Sequence, residues 1–183
     1  IHLDDKVLLH RLLSASPKAT ASFWPEGVTL ASNAQLNEEP NGIPWIAKQN
    51  VGYGSHGNQI VRLNQGRLST LPRGDAVLLQ RLVESPLLVR GRKFSVRIYT
   101  VLVGDRIFLS RDGLVKLAAA PYNDDDNSSK LNPRVHLTNS GRELEMEQQT
   151  LDILSVHGID TLRSSLVHIV RTVMILYRES AVL

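Results

Sequence analysis

Residues 93–103, Lys-Phe-Ser-Val-Arg-Ile-Tyr-Thr-Val-Leu-Val, alternate polar and apolar side chains before a Gly104-Asp105 turn leads into residues 106–109. Successive side chains of an extended strand point to opposite faces, so this pattern predicts a β-hairpin with one face against a core. Phe94, Val96 and Ile98 fall on that face, while Lys93, Ser95, Arg97 and Tyr99 share the other. Two cations and a hydroxyl then line up at roughly 7 Å per two-residue step. The ordinary reading of such a row is a solvated face, because Lys and Arg are mostly exposed. The functional reading is an anion site, with phosphate the best fit.

Around this hairpin the chain reads as further short elements. Leu3, Val7, Leu8, Leu12 and Leu13 have helical spacing within residues 1–13, and a Ser, Ala, Pro and Thr stretch ends that helix. Residues 31–42 turn to Asn, Glu and Pro, the composition of an exposed connector. A boundary near Gly42 therefore separates an N-terminal helix and connector, residues 1–42, from a main domain, residues 43–183. Residues 43–47, 59–63 and 76–83 are apolar enough for strands, with a glycine-rich turn between the first two. The loop 121–133 is polar and carries three consecutive aspartates. Residues 142–156 read as a helix with Gly158 as its C-cap, and Asp160 as the N-cap of a second helix reaching about residue 178. This order gives the α+β class, a mostly antiparallel sheet with flanking helices.

Bulk properties narrow the function. At 183 residues and 42% hydrophobic content the chain supports one sizeable core. Its greasiest stretch, 162–176, is interrupted by Arg163, His168 and Arg171, so no membrane span is expected. With no cysteine, disulfide frameworks, thiolate zinc sites and thiol catalysis are excluded, and an intracellular setting is expected. The chain opens on Ile1, consistent with a trimmed start or a removed leader, and shows no targeting signal. The net charge of +3 is unevenly spread: residues 62–116 hold eleven Lys or Arg against four acids, residues 117–183 six against nine. A positive middle attracts nucleotide phosphate, acidic peptide or nucleic acid alike. Nucleic acid ranks last, since aromatics are only 5% and no stacking platform is evident.

Two local motifs bear on chemistry. Lys48 is followed by Gly52, Gly54 and Gly57, and glycine lets a backbone approach phosphate oxygens. The spacing fits neither the Walker nor the dinucleotide pattern, so on local evidence a plain hairpin turn is the better explanation. Six histidines are scattered without zinc-ligand spacing, and only His136, ahead of Leu137-Thr138-Asn139, has a suggestive context.

In order along residues 45–139 stand Trp-Ile-Ala-Lys at 45–48 with its glycine loop, Leu-Gln-Arg-Leu-Val at 79–83, and Arg-Lys-Phe through Arg-Ile-Tyr at 92–99. Arg111-Asp112-Gly113, Pro121-Tyr122-Asn123 and His136-Leu137-Thr138-Asn139 complete the series. The ordered set resembles the tubulin-tyrosine-ligase-like family and implies an ATP-grasp fold. The implied activity is an ATP-dependent ligase joining an amino acid to a polypeptide carboxylate through an acyl phosphate, with ATP and magnesium as cofactors. By that resemblance Lys48 and Lys93 neutralise ATP phosphates beneath the loop of Gly52, Gly54 and Gly57, with His136 beside them. Gln80, Arg81 and Val83 contact adenine. Arg97 and Arg111 face the acyl phosphate and incoming amino acid, and Thr138 and Asn139 line the same cavity. The acceptor would be tubulin or another acidic polypeptide.

Two departures stand out. Ser95 occupies the position of a family aspartate, and the glycine loop is longer by about two residues. The family's magnesium ligands, an Asp and a Glu-x-Asn pair, follow the last helix, so none is expected within residues 1–183 and the fold is expected to be incomplete at its C-terminal end. The competing reading is a non-catalytic, degenerate ligase fold serving as a scaffold or accessory subunit, with other protein subunits as its partners. It predicts no nucleotide binding.

Overall fold

The computed structural model describes residues 3, 5–31, 44–50, 58–61, 63–64, 67–68, 76–123, 132–138, 150–152 and 158–181. The connector 32–43, the glycine loop 51–57, the aspartate run 124–126, Asn139 and residues 142–149 lie outside these.

Helix α1 (Lys6–Ser14) begins where Asp5 caps it, its carboxylate accepting from the Leu8 amide at 2.8 Å. That bond, first among several, holds the Asp5 carboxyl below the usual range. A short turn α2 (Pro17–Thr20) follows, with Pro at its start. Strand β1 (Gly27–Ala31) was not anticipated from sequence; it pairs antiparallel with β6 (Ala76–Arg81) from Gly27↔Gln80 to Ala31↔Ala76. β2 (Trp45–Gln49) lies on the other side of β6, and β3 (Gln59–Val61) closes the far edge. The sheet order is β1-β6-β2-β3, so residues on both sides of position 42 share one sheet. β4 (Leu63–Asn64) and β5 (Arg67–Leu68) form a two-stranded ribbon.

One face of the four-stranded sheet is greasy: Leu30, Trp45, Ala47, Val61, Val77 and Leu79 are all buried together, with Val28 packed alongside. The opposite face, bearing Gly27, Ile46, Lys48, Leu78 and Gln80 by register, meets α1. Helix and strand are stitched at two points. Asn50, just after β2, accepts from the Val7 amide at 3.1 Å and donates to Asp5 at 3.0 Å. His10, 5% exposed, contacts the Gly27 carbonyl at 3.1 Å through Nε2 and accepts the Trp24 indole N–H at Nδ1, 3.0 Å away. An indole nitrogen only donates, so His10 is the neutral Nε2–H tautomer and donates to Gly27.

Burial holds the His10 pKa below its ordinary 6.5; the bond to Gly27 opposes this, and the Lys48 charge adds to it. A histidine kept neutral in the fold means that the unfolded chain binds more protons as pH falls through 6.5. Stability is therefore fully present above that pH and declines below it. Urea titrations at stepped pH are expected to show this decline in the native chain and a flatter profile in His10→Gln. Parallel profiles would overturn the assignment.

The second body is the hairpin. β7 (Phe94–Val103) pairs with β8 (Arg106–Leu117), which runs well beyond the expected 106–109, and β9 (Thr150–Asp152) adds to β8. The expected helix over 142–156 is therefore corrected at 150–152: Leu114↔Asp152 to Lys116↔Thr150 is an antiparallel ladder. Hydrogen-bonding groups offered by β8 override local propensity there. Phe94 and Val96 do face a core, packing on Val115 and Leu117 with Leu162 from helix α4 (Ile159–Ala181). Asp160 lies inside the first turn of α4 and is not its N-cap; Gly158, at φ +80°, precedes the helix. α4 also packs against α1 and β8, and its Arg178 pairs with Asp105 at the hairpin turn. A helical turn, α3 (Pro133–His136), capped by Asn132, rests on β3. The expected α+β class with antiparallel sheet and flanking helices is what forms, divided among three sheets in the described residues. No described helix is long and apolar enough to cross a membrane.

Candidate functional site

The predicted residues gather in two groups. In the first, Lys48 on β2 donates to the Gln80 side chain on neighbouring β6 at 2.7 Å. Gln80 is itself buried and also donates to the Pro25 carbonyl at 3.4 Å. Burial, aided by the nearby Lys6 charge, lowers the Lys48 pKa from 10.5 to about 8. A partly buried ammonium kept with one neutral partner and a second cation nearby is unfavourable for folding alone.

In the second group, Lys93, only 8% exposed, meets His136 Nδ1 at 3.0 Å and lies 4.7 Å from the centre of the Tyr122 ring. An ammonium can only donate, so Nδ1 accepts. Thr138 donates to Ser95 at 2.8 Å, tying the segment after α3 to β7 two residues along from Lys93. Lys93 thus departs from the solvated-face reading, whereas Arg97 on the same strand face is exposed and fits it. The groups are linked through the fold: α3, which carries His136, lies against β3, the strand beside β2.

Other predicted residues stand apart. Arg81 follows Gln80 and so points to the opposite sheet face, where it pairs with Glu26 at 3.1 Å and Glu84 at 3.7 Å. Val83 lies past the end of β6 and is 57% exposed. Arg111 is exposed beside a ladder irregularity, where register jumps from Ile98↔Gly113 to Thr100↔Leu109. Such bulges redirect side chains and are frequent beside active sites. Gly52, Gly54, Gly57 and Asn139 lie outside the described residues. Among the described residues no group of three or more His, Asp or Glu side chains is placed to hold a metal. Sequence reasoning quoted Tyr122 within a motif but gave it no role, because nothing local links it to a lysine 29 positions away. The pairing of Arg81 with Glu26 was legible only once β1 was known.

Lys93 is thus buried beside His136 and Tyr122, and Lys48 is partly buried beside Gln80. Residues 23–150 match the profile of the tubulin-tyrosine ligase family, and the chain belongs to that family. It is 33% identical over 138 residues to human tubulin monoglutamylase TTLL4, a match covering 72% of this chain and 11% of that protein. Human tubulin polyglutamylase TTLL7 is 33% identical over 108 residues, 57% of this chain and 12% of the relative. The Caenorhabditis elegans tubulin polyglutamylase ttll-5 is 32% identical over 75 residues, 39% of this chain and 10% of its own length. The chain thus spans about a tenth of the length of these relatives.

Proposed function

We propose that this chain is the nucleotide-holding part of an ATP-dependent ligase that adds an amino acid, with glutamate favoured by the named relatives, to a carboxylate of tubulin or a similarly acidic polypeptide. The observation that carries it is the buried Lys93 ammonium beside His136, with the partly buried Lys48 ammonium beside Gln80 on the sheet whose edge strand β3 meets α3.

When bound, magnesium-ATP supplies the phosphoryl group that activates the acceptor carboxylate. Lys48 and Lys93 hold phosphate oxygens and neutralise their charge, a role that uses their burial, because a cation held away from water interacts more strongly. Gln80 orients the Lys48 ammonium through its side-chain oxygen, while its amide nitrogen donates to the Pro25 carbonyl. Thr138 and Ser95 fix the segment that carries His136. Arg97 and Arg111, exposed on the hairpin, receive the carboxylates of the amino acid and acceptor; Arg81 is held by Glu26 and Glu84 and is left out of the nucleotide set. Among the described residues no carboxylate cluster is placed to hold magnesium.

A second reading, a non-catalytic scaffold, draws on the exposed apolar side chains Val101, Val103 and Phe108 along the hairpin, which suit a protein partner. Isothermal titration with a non-hydrolysable ATP analogue, with and without magnesium, separates the two. The ligase reading expects binding that falls at least about tenfold in Lys93→Ala, the loss typical of one charge-assisted contact. No heat in either protein supports the scaffold.

A further inference from the structure

Lys93 is held by more than its hydrogen bond. The turn before it runs through Arg90 at φ +52° and Gly91 at φ +69°, and closes the Val89↔Arg92 bridge. From this turn the Gly91 carbonyl accepts the Tyr122 amide at 2.9 Å. Arg92 grips the Ala118 and Ala119 carbonyls at 3.1 and 2.6 Å, and the Ala118 amide returns to the Lys93 carbonyl at 2.8 Å. The chain on either side of Lys93 is thereby fastened to the stretch that delivers Tyr122. The phenol presents its face to the ammonium and stands edge-on to His136, ring centroids 6.2 Å apart at 86°.

We propose that Tyr122 is a positioning residue for Lys93, its ring face fixing the ammonium where it meets nucleotide phosphate; this rests on the ligase reading above. A lysine side chain has four rotatable bonds, and ordering it on binding costs affinity. An electron-rich ring beneath the ammonium orders it beforehand and offsets part of the cost of its burial. The contact uses the ring face, so Phe serves it as well as Tyr, and an aliphatic side chain of similar bulk does not.

The test titrates magnesium-ATP into the native chain and into Tyr122→Phe and Tyr122→Leu, with Tyr122→Met as a second ring-free variant in case the leucine chain fails to fold. In parallel, NMR follows the Lys93 ε-methylene protons, which a ring face shifts upfield. The expected result is affinity within about twofold for Phe and about tenfold weaker for Leu or Met, with the upfield shift present only in Tyr and Phe proteins. Native affinity in the ring-free variants overturns the proposal, as does equal loss in Phe and Leu. A native chain without ATP affinity removes the ligase reading, and the role of Tyr122 with it; the upfield shift then still reports whether the ring and the ammonium meet.

Discussion

Replacing Lys48 by methionine is expected to make the protein more stable and unable to hold nucleotide. The native ammonium titrates near 8 in place of 10.5 because burial, and then Lys6, oppose its charge. At neutral pH that opposition costs on the order of 3 kcal/mol. Methionine keeps length and apolar contact but leaves the buried Gln80 oxygen without its 2.7 Å donor, a loss of roughly 1–2 kcal/mol. The net expectation is a gain of about 1–2 kcal/mol in unfolding free energy. The pH dependence has a definite sign. Between 8 and 10.5 the unfolded chain holds more protons at this site than the folded one, so native stability rises through that window. The advantage of Lys48→Met should therefore shrink from pH 8 upward. Guanidinium denaturation at pH 7 and pH 10 measures both effects, and a variant less stable than native at pH 7 contradicts the account. ATP titration of the same variant should show affinity lost, the usual exchange of stability for function at a binding site.

The Gly27→Ala chain should lose stability by about 1–3 kcal/mol, the range for forcing an extra methyl into packed surroundings. A Cβ at Gly27 would stand 2.9 Å from the Leu79 carbonyl oxygen, 2.9 Å from Gln80 Cγ and 3.0 Å from His10 Cε1. The carbonyl belongs to the β6 ladder and cannot yield without disturbing the pairing. Gln80 and His10 are both buried and engaged, so the strain spreads to the Lys48 hydrogen bond and to the docking of α1. Nucleotide affinity should weaken along with stability. Thermal denaturation reads the first effect and titration calorimetry the second; a change under about 0.5 kcal/mol, the level of an ordinary surface substitution, would show that the close approach is not enforced.

Local chemistry determined several elements from the sequence alone. The two-residue alternation of 93–103 specified the hairpin and the inward face of Phe94 and Val96, because strand geometry makes that pattern a direct record of which side is buried. The same rule, applied to β6, separates Gln80 from Arg81, which the resemblance had assigned together to adenine, since consecutive strand residues cannot offer both side chains to one ligand. The ordered motifs determined the family, now shown by the match over 23–150. Tertiary structure decided the rest. β9 is a three-residue strand in a stretch with no strand pattern of its own, existing only where β8 offers a ladder. β1 carries alternating Val28 and Leu30, a signal too short to stand out until β6 pairs with it. The partners of Lys48 and Lys93, namely Gln80, His136 and Tyr122, are 32, 43 and 29 residues away. Periodicity reports which face a side chain takes within one element, but only chain packing decides what lies opposite that face.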